Sequence, residues 1–282
     1  MICRVKKAGV MLCLLLGMTT VYISGCAFVR TDESSMRQTE DGNAGSDNKS
    51  ETAHTGVGQD GTPNDAVGTS GIASESADDA RIDFATLQGE NPDIFAWLQI
   101  PGTSIDCPVL QSEQADDFYE THNAYGEEDA TGAAYIELAN LTNMCDFNTV
   151  IHGKTGKDGN GLFADLYRFS NPDFFENHEY AYVYLDGNLL TYEIFAAYER
   201  ENTSLIRTYD FTYISGCQKF LDDLYGNRDM SMKIREGWEN VSPYNYVITL
   251  TTQREENIDK QFVVIAVLTN DAAGTIDRMV IE

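Results

Sequence analysis

The sequence predicts a mainly β domain, either a closed barrel or a sandwich, from about residue 80 onward. Three observations predict it. Short runs rich in β-branched and aromatic residues recur along this part of the chain. Turn-forming Gly, Asn, Asp and Pro separate these runs. Among the runs, only Tyr213–Tyr225 has clear helical periodicity, with apolar residues at three- and four-residue intervals.

Two short helices are predicted ahead of the strands. Ala80–Glu90 carries apolar residues at roughly helical spacing, and Asn91-Pro92 breaks it. Pro92–Leu98 has a proline in its first turn, which favours a second short helix. The predicted strands, in order, are Ile105–Leu110, Ala133–Glu137, Thr149–Ile151, Tyr180–Tyr184, Leu189–Ala197, Tyr246–Thr252 and Gln261–Leu268.

The composition allows one substantial core and a strongly acidic surface. The chain has 282 residues, 42% of them hydrophobic, and a formal net charge of −26. Such a surface repels phosphate backbones and anionic lipid head groups, so we expect no nucleic-acid partner. The acidity is interpreted as keeping the protein soluble outside the cell.

The cysteines give no metal or redox signal. No CxxC pair and no Cys/His cluster occurs, and Gly-rich phosphate loops are absent, so we expect no cofactor and no metal centre. The acidic run Glu127–Asp129 leaves weak Ca²⁺ binding open. A disulfide among Cys107, Cys145 and Cys217 is possible in an oxidising compartment, and free buried thiols are the preferred interpretation.

Residues 1–25 are predicted to be an export signal that ends at a lipid-attachment site. A short basic segment precedes an uncharged apolar stretch from Ala8 to Ile23, which is short for a membrane span and typical of a signal-peptide core. Ile23-Ser24-Gly25-Cys26 follows and resembles the bacterial lipobox, in which the cysteine carries diacylglycerol. An uncleaved anchor helix is the alternative. Either interpretation places the remaining chain at the outer face of the cytoplasmic membrane.

Residues 26–79 are predicted to be a lipid-anchored, disordered linker. From Thr31 to about Asp79 the sequence is mostly Ser, Thr, Gly, Asp, Asn and Glu. Such a segment cannot bury enough apolar surface to offset the entropy of ordering it. Residues 80–282 then form the globular domain.

Several phrases within this domain resemble those of class B sortases, the cysteine transpeptidases that attach proteins to the Gram-positive cell wall or build pili. The matching phrases run in order over about residues 81–270. They are Asn91–Thr103, Ile105–Gln111, Asn148–Gly153, Lys157–Gly159, Leu162–Leu166, Ile248–Thr252 and Phe262–Val264. The resemblance implies a closed eight-stranded sortase-type β-barrel with N-terminal helices and one long helix before the last two strands.

The resemblance also implies a catalytic apparatus that this sequence lacks. A sortase cleaves its sorting signal with a Cys thiolate, uses a His as acid and base, and stabilises the oxyanion with an Arg. At the matching positions this chain has Lys154 for the His, Gln253 for the Cys and Gln261 for the Arg. A carboxamide has no useful nucleophilicity, so we expect the domain not to work as a sortase.

Substitute catalytic residues remain an alternative. His152 lies two residues before Lys154 and is the substitute base to consider. Cys145 is the thiol that could approach the site, and Thr251 or Thr252 could be nominated as a nucleophile. Strand threonines are usually present for β-propensity, and an isolated His is usually structural.

Three functions follow from these expectations. The first is a pseudoenzyme, a cell-surface lipoprotein that binds or scaffolds sorting-signal peptides or pilin-like surface proteins without cleaving them. The second is an active sortase-like transpeptidase or hydrolase with relocated catalytic residues. The third is a structural lipoprotein in which side chains fill the groove.

Overall fold

The computed structural model describes residues 82–156, 159–227, 229–254 and 256–282. The predicted signal segment, Cys26 and the linker lie outside the described residues. The helices are α1 (Phe84–Glu90), α2 (Pro172–Asn177), α3 (Leu205–Thr208) and α4 (Ile214–Gly226), with 3-10 turns at Phe118–Glu120 and Ala164–Ser170. The strands are β1 (Ile94–Gln99), β2 (Asp106–Leu110), β3 (Ala134–Tyr135), β4 (Asn148–His152), β5 (Tyr180–Leu185), β6 (Asn188–Glu201), β7 (Lys233–Ile234), β8 (Val247–Thr252) and β9 (Lys260–Asp271).

Eight strands close into a barrel in the order β5-β1-β2-β3-β4-β8-β9-β6, and β6 pairs back onto β5. The short strand β7 adds to β6 outside this ring. The pairs β2–β3 and β4–β8 are parallel, and the other neighbours are antiparallel. The predicted mainly β, eight-stranded closed barrel is confirmed, as is the long helix α4 before the last two strands.

The predicted second N-terminal helix, Pro92–Leu98, is wrong. Pro92 lies in a turn, and the residues that follow form β1, hydrogen-bonded between β2 and β5. Its buried residues are Ile94, Ala96 and Leu98, which alternate with partly exposed ones. That two-residue period is the strand signal, and it outweighs the helix-initiating proline. A single helix, α1, therefore precedes the barrel within the described residues.

Helix α4 follows the predicted amphipathic pattern. Cys217, Phe220, Leu221 and Leu224 are buried on one face. They join a core layer that includes outward-facing barrel residues such as Val263. Burying each large apolar side chain contributes about 1.5–3 kcal/mol, so this layer fixes α4 against the barrel wall. No helix within the described ranges has the length and apolar character needed to span a membrane.

The parallel pair β4–β8 is buried on both faces. Ile151 and Leu250 face the barrel interior, whereas Val150 and Val247 face the α4 layer. Strands covered on both sides are near-continuous apolar runs, as these are. Because the two strands run in the same direction, the loops that follow them leave the barrel at the same end.

The three cysteines in the described part of the chain are free thiols. Cys107 lies in β2 and Cys217 in α4, and both are buried, while Cys145 is partly exposed. Burial raises the pKa of the Cys107 thiol to about 12. The open alternative of a disulfide among these residues is not realised here.

Candidate functional site

The C-terminal ends of β4 and β8 open into a cavity of about 240 Å³. The parallel register pairs His152 with Thr251, so that Lys154 and Gln253 follow just beyond the paired strands. Gln261, near the start of β9, completes the same wall. The three positions that the resemblance equates with sortase catalytic residues therefore line one cavity, together with His152.

The remaining wall of this cavity is also polar. None of its described lining residues is a cysteine. The lining residues are Glu120, Tyr135, His152, Gly153, Lys154, Asn202, Thr251, Thr252, Gln253 and Gln261.

The Gln261 carboxamide makes three hydrogen bonds to neighbouring parts of the chain. Its Nε2 donates to the backbone carbonyls of Glu201 at 3.2 Å and Thr203 at 2.9 Å. Its Oε1 accepts a 2.6 Å hydrogen bond from the Thr251 hydroxyl. A primary amide has only two N–H donors, so Gln261 has none left for an oxyanion.

A network of amides fixes the orientation of Gln253. Asn202 Nδ2 donates 2.9 Å to the Ile258 carbonyl, which requires the nitrogen of Asn202 on that side. The same Nδ2 meets Gln253 Oε1, so the Gln253 atom at this contact must be its acceptor oxygen. Gln253 Nε2 therefore points away from Asn202, and it donates to none of the described residues.

Lys154 is half-buried in the cavity wall. Its Nζ has one long contact, 3.4 Å to the Ala130 carbonyl. Its backbone is held tightly, because its carbonyl accepts from Phe163 N at 2.9 Å. The Phe163 ring covers Gly153 so closely that an added Cβ would lie 2.5 Å from it. The backbone of Lys154 is thus held in place, whereas its ammonium group makes one long hydrogen bond.

His152 is engaged with Tyr135 and Glu137 rather than with a nucleophile. Its ring stacks on Tyr135, with centroids 5.1 Å apart. Its Nε2 lies 3.4 Å from Glu137 Oε1, within ion-pair range but without an aligned hydrogen bond among the described residues. This contact with His152 holds the pKa of Glu137 below its usual range. The His152 ring is therefore positioned by Tyr135 and Glu137.

Neither threonine nominated as a nucleophile is paired with His152. The Thr251 hydroxyl donates to Gln261, and the Thr252 hydroxyl shares a 2.8 Å hydrogen bond with Thr155. Both threonines are buried, with about 4% of their surface exposed. A nucleophile needs a base within hydrogen-bonding reach, and these hydroxyls are directed elsewhere.

The structure does not bring Cys145 to this cavity. Cys145 precedes β4, at the opposite end of the strand from His152. It lines a separate cavity of about 590 Å³ together with Arg278. Its Sγ lies 3.5 Å from the Asn143 carbonyl.

The acidic run Glu127–Asp129 serves its own turns. Asp129 Oδ1 accepts hydrogen bonds from the backbone and hydroxyl of Thr131, at 2.8 and 2.6 Å, and Glu127 accepts one from Asn123. Across the described ranges, no group of three or more His, Cys, Asp or Glu side chains is arranged to hold a metal ion. The run therefore gains no support as a Ca²⁺ site.

Sequence reasoning missed Asn202, Tyr135, Glu137 and Glu120. Asn202 comes directly after β6, and Tyr135 reaches the site because β3 pairs with β4 at His152. These contacts join residues that are distant in sequence, so local patterns carry no signal for them. The strand order is the information that would have identified them.

The fold is similar to that of class B sortases. No protein-family model matches the chain. Sortase B of Listeria monocytogenes is 38% identical over 138 residues, which is 48% of this chain and about half, 52%, of that protein. The Clostridium perfringens sortase B structure is 27% identical with a TM-score of 0.58, over 67% of this chain and all of that one. A Staphylococcus aureus sortase B–substrate complex is 25% identical with a TM-score of 0.57, over 66% of this chain and 84% of that one.

The curated relatives and the solved structures support membership of the class B sortase family.

Proposed function

We propose that this chain is a non-catalytic class B sortase that binds a peptide or protein sorting signal, or a pilin-like surface protein, without cleaving it. The observation that carries the proposal is the cavity at the ends of β4 and β8. The three family-equivalent positions, Lys154, Gln253 and Gln261, meet there, and no described residue that lines it is a cysteine.

Each part of the sortase reaction lacks its group in this cavity. The Gln253 carboxamide cannot attack a carbonyl. Gln261 donates both N–H groups to backbone carbonyls, so it offers nothing to a developing oxyanion. Lys154 would have no nucleophile to activate if it acted as a base.

Binding does not need the missing groups. A polar cavity on a rigid barrel can hold a peptide whether or not a thiol is present. The similar S. aureus structure is a complex of sortase B with a substrate. The cavity of this chain is open rather than filled by side chains, which argues against a purely structural lipoprotein.

The same proposal places the protein at the outer face of the cytoplasmic membrane, held by a lipid on Cys26. Its support is the order of basic segment, apolar core and Ile23-Ser24-Gly25-Cys26. Replacing Cys26 with Ala should release the chain from the membrane fraction and abolish labelling by a radioactive fatty acid. An unchanged membrane fraction without label would point to an uncleaved anchor helix instead.

The test of function combines binding with a search for products. We expect the purified chain to bind sorting-signal peptides in isothermal titration calorimetry and to release no cleaved peptide or aminolysis product by mass spectrometry. An active class B sortase assayed beside it is the positive control for turnover. Cleavage that disappears in a His152→Ala or Cys145→Ala variant would establish the relocated enzyme and overturn the proposal, as would a lack of binding to every peptide.

A further inference from the structure

The cavity presents hydrogen-bond donors at the position where the family places its reactive groups. Lys154 Nζ can donate three hydrogen bonds and has one long contact, to Ala130. Gln253 Nε2 can donate two and is turned away from the contact with Asn202. A ligand group that meets both must therefore be an acceptor with several lone pairs.

The other polar groups of the wall do not compete for that role. Gln261 is satisfied by two carbonyls and the Thr251 hydroxyl. The Thr252 hydroxyl shares a hydrogen bond with Thr155, and Asn202 Nδ2 donates to the Ile258 carbonyl and to Gln253 Oε1. Charge-assisted hydrogen bonds to an oxyanion are about twice as strong as neutral ones, so a carboxylate uses these donors better than a carbonyl does.

Two observations bear on the size and charge of the ligand. The cavity volume of about 240 Å³ is below the roughly 300–1,000 Å³ of sites that enclose drug-sized ligands, so it suits the end of a peptide. Glu120 also lines the cavity and makes no ion pair with a described residue, so its charge opposes an anion. Asp116, Asp117 and Glu137 lie near enough to act electrostatically on the lining residue Tyr135, so they oppose an anion as well, whereas charges beyond about 8 Å are screened at physiological salt.

We infer that this cavity holds a carboxylate between Lys154 and Gln253, and that its ligand is a peptide with a free C-terminal carboxylate rather than an uninterrupted chain. The inference rests on the proposed function and specifies its ligand. The protein then recognises a chain end, such as a sorting signal after cleavage.

The test compares matched peptide libraries against the purified chain. N-acetylated hexapeptides are made with either a C-terminal carboxylate or a C-terminal carboxamide, and each amide peptide is also made with an internal Glu. We expect the carboxylate form to bind at least about tenfold more tightly than the amide, because hydrogen bonds to a charged group are stronger than those to a neutral one. Lys154→Met should remove most of that preference, and Gln253→Met should reduce it by less. The matched control Lys233→Met, in β7 outside the ring of barrel strands, should leave it unchanged.

The outcomes separate this inference from the proposed function. Equal binding of acid and amide peptides would overturn the carboxylate site and leave peptide binding intact, whereas no binding by either library would overturn both. Tight binding only of amide peptides with an internal Glu would assign the carboxylate to a side chain and overturn recognition of a chain end. Glu120→Gln is a second variant that should strengthen carboxylate binding severalfold, and weaker binding would contradict the assigned charge balance.

Discussion

The two ends of the parallel pair β4–β8 differ in the chemistry they contain. Where the strands begin, Cys145 and Arg278 line a cavity of about 590 Å³, and no histidine is among its described lining residues. Where the strands finish, His152 and Lys154 line the smaller cavity with the amides of Gln253 and Gln261. A thiol and a guanidinium thus lie at one end and an imidazole at the other.

Cys145 and His152 lie too far apart for the imidazole to activate the thiol. Five residues of β4 span about 13 Å from Asn148 to His152, and Cys145 lies before that span. A thiol and its base must approach within about 2.6–3.2 Å. The chain therefore contains the kinds of side chain that a sortase uses, and it is their placement that differs.

The largest expected effect comes from placing a thiol, an imidazole and a guanidinium together in the smaller cavity. The triple variant Lys154→His, Gln253→Cys and Gln261→Arg should form a thioester with a sorting peptide, which intact-mass spectrometry would detect as an acyl adduct. The control is the same triple variant with Ser in place of Cys, which should form no thioester. A folded triple variant that forms no adduct would show that the groove diverged along with its reactive groups.

The next prediction compares how fast the partly exposed Cys145 and the buried Cys107 react with a thiol reagent. Cys145 should react with iodoacetamide at pH 8 at least about a hundredfold faster than Cys107, because the reactive thiolate is scarce when a thiol is buried and its pKa is raised to about 12. Mass spectrometry of the peptides after timed labelling measures each site, and labelling in urea provides the control. Fast labelling of Cys107 in the native protein would contradict the packing of β2.

The two glutamines of the smaller cavity should differ in their effects on stability. Gln261→Met leaves two backbone carbonyls and a buried hydroxyl without their partner, so we expect it to lower the free energy of unfolding by about 2–3 kcal/mol. Gln253→Met loses one bond at a partly exposed position and should cost less than about 0.5 kcal/mol. Urea denaturation measures both, and equal effects would show that Gln261 is not the structural member of the pair.

The smallest expected effect concerns acid. The contact with His152 lowers the pKa of Glu137 in the folded chain. The stability that ionised Glu137 contributes to the folded state is therefore complete above the unfolded pKa, and it is lost as the pH falls through the folded pKa. Glu137→Gln should remove that part of the acid sensitivity, which we expect to be below about 1 kcal/mol. Urea midpoints at pH 6 and pH 4 test it, and an unchanged difference between the two would contradict the His152 contact.

Much of the barrel could be predicted from residue patterns, and the failures have local causes. Pro92 suggested a helix, but alternating burial and pairing on both sides make Ile94–Gln99 a strand. Strand β6 extends to Glu201, beyond the predicted Ala197, because its polar end pairs with β9 down to Lys260. Tertiary pairing decided both cases, and it leaves no local trace in the sequence.

In the candidate site, too, some features could be predicted from the sequence and others could not. The family-equivalent positions could be read from short phrases that surround Lys154, Gln253 and Gln261 in the sequence. The partners of these residues could not be predicted, because Asn202 arrives from β6 and Tyr135 from β3. The resemblance located the residues, whereas the hydrogen bonds that occupy Gln261 depend on the full strand order.

Strand β6 pairs with β5, β7 and β9, and Asn202 follows its last residue. Its final pairs with β9 are Arg200–Gln261 and Glu201–Lys260, and Gln261 also lies in the wall of the smaller cavity. Fraying of this end of the sheet would therefore alter the cavity wall. Amide hydrogen exchange at Gln261 and Phe262 would report how often these pairs open.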